Sequence, residues 1–192
     1  MEQHHKKIIL ASGSPRRKEL LGGLDIDFIV DTENNFVEAY DDSIPHESIP
    51  VLMSQGKSHG FHRNLDSDEV LITADTMVLL DDFALGKPHN RDEAADMLQK
   101  MSGKTHKVIT AVTIRDNTKE ETFTDETLVT FKSLSPEEIN FYIDKYKPFD
   151  KAGAYGVQEW IGYIAITRLE GSFYNVMGFP THKVYTALLR FL

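Results

Sequence analysis

Residues able to do chemistry gather first in Leu10-Ala11-Ser12-Gly13-Ser14-Pro15-Arg16-Arg17. The apolar run Ile8 to Ala11 reads as a buried strand, and Ser14 followed by Pro15 reads as an N-cap with proline at the first helical position. Two arginines then stand beside the unpaired N–H groups of a helix start. Amides, dipole and guanidinium forks can therefore converge on one anion, and a phosphate suits that arrangement. Taken alone, so short a motif more often marks a capped helix with solvated arginines, so its meaning depends on the rest of the chain.

Asp75 is the second focus. The run Val70 to Leu80 is apolar apart from Thr73, Asp75 and Thr76, which reads as a central strand with a carboxylate inside it. Burying that charge requires a cation, a metal or several donors. Lys87 is held between Gly86 and Pro88, both of which restrict the local backbone. Lys57 falls in the middle of a helix opened by Pro50, where a snorkelling surface lysine is the ordinary explanation. Gly56 and Gly60 in that stretch point to close packing, with Val51, Leu52 and Phe61 as its apolar residues. Gln158 ends the small, glycine-rich stretch Asp150 to Gln158, whose backbone has few side chains to keep another group at a distance. Between Asp31 and Pro45 the chain is acidic and irregular, and Glu33, Glu38, Asp41 and Asp42 read mostly as solvated carboxylates.

The elements that must position these groups follow from pattern. Helices are expected over Arg16 to Leu24, from Pro50, from Asn90 to Met101 with Gly103 as terminator, and after Ser135, where Ser135-Pro136-Glu137-Glu138 forms a capping box ahead of Ile139, Phe141, Tyr142 and Ile143. A C-terminal helix is expected to pack Tyr185, Leu188, Leu189 and Leu192. Strands are expected over Ile26 to Val30, Lys107 to Ile114, Glu121 to Phe131 and Ile161 to Ile166, with the middle two joined as an antiparallel pair by Arg115 to Lys119. Mixed order and antiparallel pairs favour a mixed α/β sheet flanked by helices over a doubly wound one.

The chain has 192 residues and a net charge of −9, enough for one domain, or one domain with two lobes. An acidic balance argues against duplex nucleic acid or an anionic membrane as partner, since both need a basic footprint. Absence of cysteine removes disulfides, thiolate zinc sites and cysteine nucleophiles together. The polar N-terminus and the lack of any long apolar run point to a cytoplasmic protein, with His4 and His5 as terminal decoration. Gly56-Lys57-Ser58 and Gly103-Lys104-Thr105 imitate a P-loop, but Val51 and Leu98 occupy the positions where its earlier glycine is required. No G-x-G-x-x-G, H-E-x-x-H or G-x-S-x-G is present, and His59 with His62, a turn apart on the expected helix, lacks further metal ligands.

Collected in order, Leu10 to Arg17, Ala74 to Val78, Gly86-Lys87-Pro88, Ser102 to His106, Asp150 to Gln158 and Gly171 to Pro180 resemble the Maf family of nucleoside triphosphate pyrophosphatases, once named for an association with septum formation. The resemblance covers nearly the whole chain as one domain, 1–192. It implies an elongated mixed sheet with two lobes around a cleft, similar to inosine triphosphatase, and a homodimer. It further implies that Arg16, Arg17, Lys57 and Lys87 hold a triphosphate, with Ser12 and Ser14 as further contacts. Asp75 would accept the proton of the attacking water, and Glu38, with Glu33 nearby, would be its acidic companion at a divalent metal. Oxygen ligands alone suit Mg²⁺ or Mn²⁺ over zinc. Arg16, Thr76 and Gln158 match the branch acting on dTTP and UTP, with modified pyrimidine nucleotides as further substrates. Met77 and Ser58 depart from the family's usual valine and alanine. The competing readings are a nucleotide sensor of cell division, which would gain nothing from a buried base, and a P-loop kinase, which the missing glycines exclude.

Overall fold

Strand β1 (Lys7–Leu10) is buried at three successive positions because β2 (Phe28–Val30) and β3 (Glu69–Leu80) run parallel on either side of it. The computed structural model describes residues 6–41 and 43–192; His4, His5 and Asp42, assigned above to decoration and solvent, lie outside them. The remaining strands are β4 (Phe83–Leu85), β5 (Thr105–Arg115), β6 (Glu120–Phe131) and β7 (Ile166–Glu170). The helices are α1 (Pro15–Gly22), α2 (Ile49–His59), α3 (Arg91–Met101), α4 (Pro136–Tyr146), α5 (Trp160–Ala165), α6 (Phe173–Val176) and α7 (Thr181–Leu188). The sheet order is β2-β1-β3-β5-β6-β7, with β4 antiparallel to β3 and β7 antiparallel to β6. This is the mixed α/β architecture expected from the sequence. Among the described residues no helix is long and apolar enough to cross a membrane.

The chain forms two compact units and returns to the first twice after leaving it. The first comprises the residues up to Asp75, with Thr110–Asp125 and Gly178–Leu192. Its α1 starts on Ser14, whose side chain accepts from Arg17 N, and buries Leu20 and Leu21. Helix α2 buries Ile49 and Met53, while its polar neighbours pin it: Ser54 Oγ meets Thr113 Oγ1 at 3.0 Å, and Thr73 Oγ1 donates to Ser54 O at 2.7 Å. Leu52, one of the apolar residues named for this helix, is exposed, because the buried row runs through Ile49, Met53, Ser54 and Ser58. Helix α2 ends at His59, so His59 and His62 do not share it; they bond separately to Glu120 at 2.7 Å and Asp31 at 3.0 Å.

The C-terminal helix corrects a second expectation. Val184, Ala187, Leu188 and Phe191 are buried, whereas Tyr185, Leu189 and Leu192 are exposed. The i, i+3, i+4, i+7 row therefore lies one step from the one expected, with Leu188 common to both.

The second unit holds Thr76–Ile109 and Glu126–Met177. Asn90 caps α3 through Glu93 N, and α3 buries Ala94, Leu98 and Met101. The capping box at Ser135 is complete, and α4 buries Ile139, Tyr142 and Ile143 while Phe141 stays exposed against Trp160. The strand expected over Ile161 to Ile166 is a helix. Only Ile161 and Ala165 of α5 are buried, while Tyr163 between them is 84% exposed; a strand would put all three on one face, whereas a helix turns Tyr163 away, and β7 begins where that helix stops.

Candidate active site

Helix α2 and strand β3 carry Lys57 and Asp75 to the same point. Lys57 Nζ donates to Asp75 Oδ1 at 2.7 Å and lies 3.0 Å from Glu38 Oε1. Lys57 and Asp75 are each 19% exposed, so a charge that the sequence made costly to bury has its cation. Glu38, not Glu33, reaches this lysine; Glu33 lies 3.7 Å from His62.

Arg17 comes to the same carboxylates from α1. Its Nε donates to Gly178 O at 2.9 Å, and one terminal nitrogen donates to Ala74 O at 2.9 Å and Ser12 Oγ at 3.3 Å. Desolvation pulls the Arg17 pKa down, Asp75 and Glu38 push it back up, and Arg16 lowers it further. Much of the Arg17 fork thus fastens the loop at Gly178 and strand β3 around the site. The adjacent guanidinium groups repel, and an anion between the helix start and these arginines relieves that repulsion. Ser12 Oγ also accepts from Ser14 N at 3.3 Å, and Ser14 Oγ accepts from Arg17 N at 3.4 Å, so the two serines shape the turn that offers its amides.

These groups bear on the metal implied by the resemblance. Asp75 and Glu38 each point an oxygen at the one Lys57 ammonium. Among the described residues no cluster of three or more His, Cys, Asp or Glu could hold a metal. One or two carboxylates completed by substrate phosphates and water is the donor set that Mg²⁺ or Mn²⁺ accepts, so Asp75 and Glu38 fit such an ion.

In the second unit Thr76 is half-buried beside Asp75 in the chain, and Lys87 is exposed after β4. Gly86 O accepts from Gly153 N at 3.0 Å, which ties the Lys87 turn to the glycine-rich stretch; Gly153 has φ +70° and sits against Val78, where a Cβ would be only 3.1 Å from that side chain. The end of the stretch is held by buried Lys151, which contacts Asp150 at 2.8 Å and Glu159 at 3.1 Å. The Tyr142 hydroxyl donates to Glu159 and accepts from Gly156 N at 3.0 Å. Burial and Glu159 both push the Tyr142 phenol up, which keeps it a donor. Gln158 follows these anchored residues, and its Oε1 is buried with no hydrogen-bond partner.

Sequence reasoning missed the acceptors of Arg17, which are backbone carbonyls and carry no side-chain signature. It also missed Asn34, whose Nδ2 donates to Lys57 O at 2.7 Å. Ser58, a departure from the family pattern, is explained: its hydroxyl and carbonyl accept from Arg115 at 3.1 and 2.7 Å.

A family model described as Maf-like protein matches residues 7–191. The dTTP/UTP pyrophosphatase of Parabacteroides distasonis is 51% identical over 185 residues, covering 96% of this chain and 96% of that one. That of Phocaeicola vulgatus is 50% identical over 182 residues, covering 95% and 94%. A solved HAM1 protein from Coxiella burnetii aligns over 96% of this chain and 99% of that chain at 13% identity, with a TM-score of 0.49.

Proposed function

The chain belongs to the Maf family, and from that premise we propose that it hydrolyses dTTP and UTP to the nucleoside monophosphate and pyrophosphate. The observation that carries this reading is the Lys57 ammonium bridging Asp75 and Glu38 beside the two arginines. Cleavage between the α and β phosphates builds charge on phosphoryl oxygens, so a site for it needs fixed cations next to a base.

In this reading Asp75 takes the proton of the attacking water. Lys57, hydrogen-bonded to it, orients that carboxylate and offers positive charge to the phosphate under attack. Arg16 and the amides at the start of α1 bind the outer phosphates, while Arg17 holds the loop and strand in register. Asp75 and Glu38 would hold Mg²⁺ or Mn²⁺, which when bound withdraws charge from phosphate oxygens. Thr76, Lys87 and Gln158 are proposed for the base and phosphate contacts that the resemblance gives them. The orphaned Gln158 Oε1 supports its part, because an acceptor without a partner suits the ring N–H of uracil or thymine. Cytoplasmic placement and a homodimer belong to the same proposal.

Phosphorus NMR of the products from UTP and Mg²⁺ tests the reaction class. Pyrophosphate with UMP is the expected outcome; orthophosphate with UDP as first products rejects it.

A further inference from the structure

The segment that carries Glu38 is irregular, yet one ring fixes where it lies. Phe36 rests on α2 where Gly56 and Gly60, four residues apart, leave the helix bare. A Cβ built on Gly56 would stand 2.3 Å from two atoms of the Phe36 ring, and one built on Gly60 would stand 2.6 Å from Phe36 Cβ and 2.8 Å from its backbone nitrogen. All three distances are shorter than real Cβ atoms show, so an added methyl at either position would displace the ring or its backbone. Gly60 has φ −83° and ψ 1°, which other residues adopt; its identity answers to Phe36, not to the backbone.

Hydrogen bonds tie the same spot. Phe36 N donates to Asn34 Oδ1 at 2.8 Å, Asn35 N donates to Gly60 O at 2.7 Å, and Asn34 Nδ2 donates to the carbonyl of Lys57, the residue whose ammonium meets Glu38. Beyond Phe36 the anchoring stops: every described side chain from Val37 to Asp41 is exposed, Glu38 included. Phe36 is therefore the last packed side chain before Glu38, two residues upstream.

We propose that Phe36 is a positioning residue, seated in the Gly56–Gly60 notch to hold Glu38 at the height where it meets Lys57 and, through it, Asp75. This rests on the role given to Glu38 above. If Phe36 only covered α2, its loss would lower stability and leave turnover alone.

The test compares Phe36→Ala, Gly56→Ala and Glu38→Gln, alone and paired, on UTP with Mg²⁺. Phe36→Ala is expected to lower kcat about 10- to 100-fold, the range seen when a group that orients a ligand is lost, with KM changed less than about threefold. In the Glu38→Gln background Phe36→Ala should cost nothing further, since the group it positions is already disabled. Gly56→Ala should lower kcat in the parent and add nothing to Phe36→Ala, because the ring that its methyl meets is gone. Hydrogen exchange supplies a readout apart from activity: the amides of residues 35–38 should exchange faster in Phe36→Ala while α2 keeps its protection. Losses that multiply in either pair overturn the proposal, as does an unchanged kcat for Phe36→Ala while Glu38→Gln is impaired. An unimpaired Glu38→Gln instead removes the role of Glu38 itself, and the proposal with it.

Discussion

At the scale of single residues, the site turns on what Asp75 does with the ammonium beside it. A carboxylate that only tethered Lys57 could be replaced by any acceptor of the same shape, whereas a base must be able to take a proton. Asp75→Asn separates the two: the amide oxygen still accepts from Lys57, and Glu38 still faces it at 3.0 Å. Turnover of UTP is expected to fall about 10²- to 10⁴-fold, the usual loss of a general base, while the UTP dissociation constant measured by calorimetry changes only a few-fold. Persistent turnover would show that the proton leaves by another route. Binding lost together with turnover would make Asp75 chiefly a holder of the metal and its phosphates.

Elements show what the sequence made legible. Caps were readable, because Ser14, Asn90 and Ser135 each accept from a backbone N–H three positions on, a local event written in local residues. Asp75 was readable for the opposite reason, as the one charge in the apolar run Val70 to Leu80. What stayed hidden was decided by distant contacts: which side of α7 is buried, and where the acidic segment lies on α2. Helix α5 was misread because Ile161, Tyr163, Ile164 and Ile166 have strand-favouring side chains. Gly162 explains what overrode them, since a Cβ there would stand 1.8 Å from Val157 O, so the short helix turns directly against the preceding loop. This decides a sign. Gly→Ala inside a helix ordinarily gains about 1 kcal/mol. Here the methyl meets a backbone carbonyl that cannot rotate away, and overpacking costs about 1–3 kcal/mol. The net loss is then up to about 2 kcal/mol, and Gly162→Ala is expected to lower the melting temperature by up to roughly 8 °C, which calorimetry would read. A rise would mean that the loop ending in Gln158 yields freely, and that its anchoring by Tyr142 and Lys151 is loose.

For the whole molecule, the buried His106 links stability to pH. Its ring lies edge-on to Phe131 and Tyr155, its Nε2 is 2.7 Å from the Tyr155 hydroxyl, and its Nδ1 has no partner. Burial raises the Tyr155 phenol, which therefore stays protonated, and lowers the imidazole from 6.5 to about 4. In the unfolded chain the ring titrates near its ordinary value, so between pH 6.5 and 4 the unfolded state binds a proton that the native state refuses. Stability must then fall as pH falls through that window: about 2 kcal/mol by pH 5 and about 3 kcal/mol below pH 4. Carboxylates held below their ordinary values by partners, such as Glu69 on Arg63 and Glu138 on Lys132, begin to lose their contribution only as pH falls to the ordinary value of 4.5 and go on losing it down to the lower, native values. The upper part of the acid limb therefore belongs to the histidine. His106→Gln keeps a hydrogen-bonding group for Tyr155 and removes the titration, so its urea midpoint should change little between pH 7 and pH 5 while that of the parent falls. The comparison is between slopes, which leaves any constant cost of the substitution out of account. Parallel slopes would place the proton uptake elsewhere and leave His106 as a neutral filler between two aromatic rings.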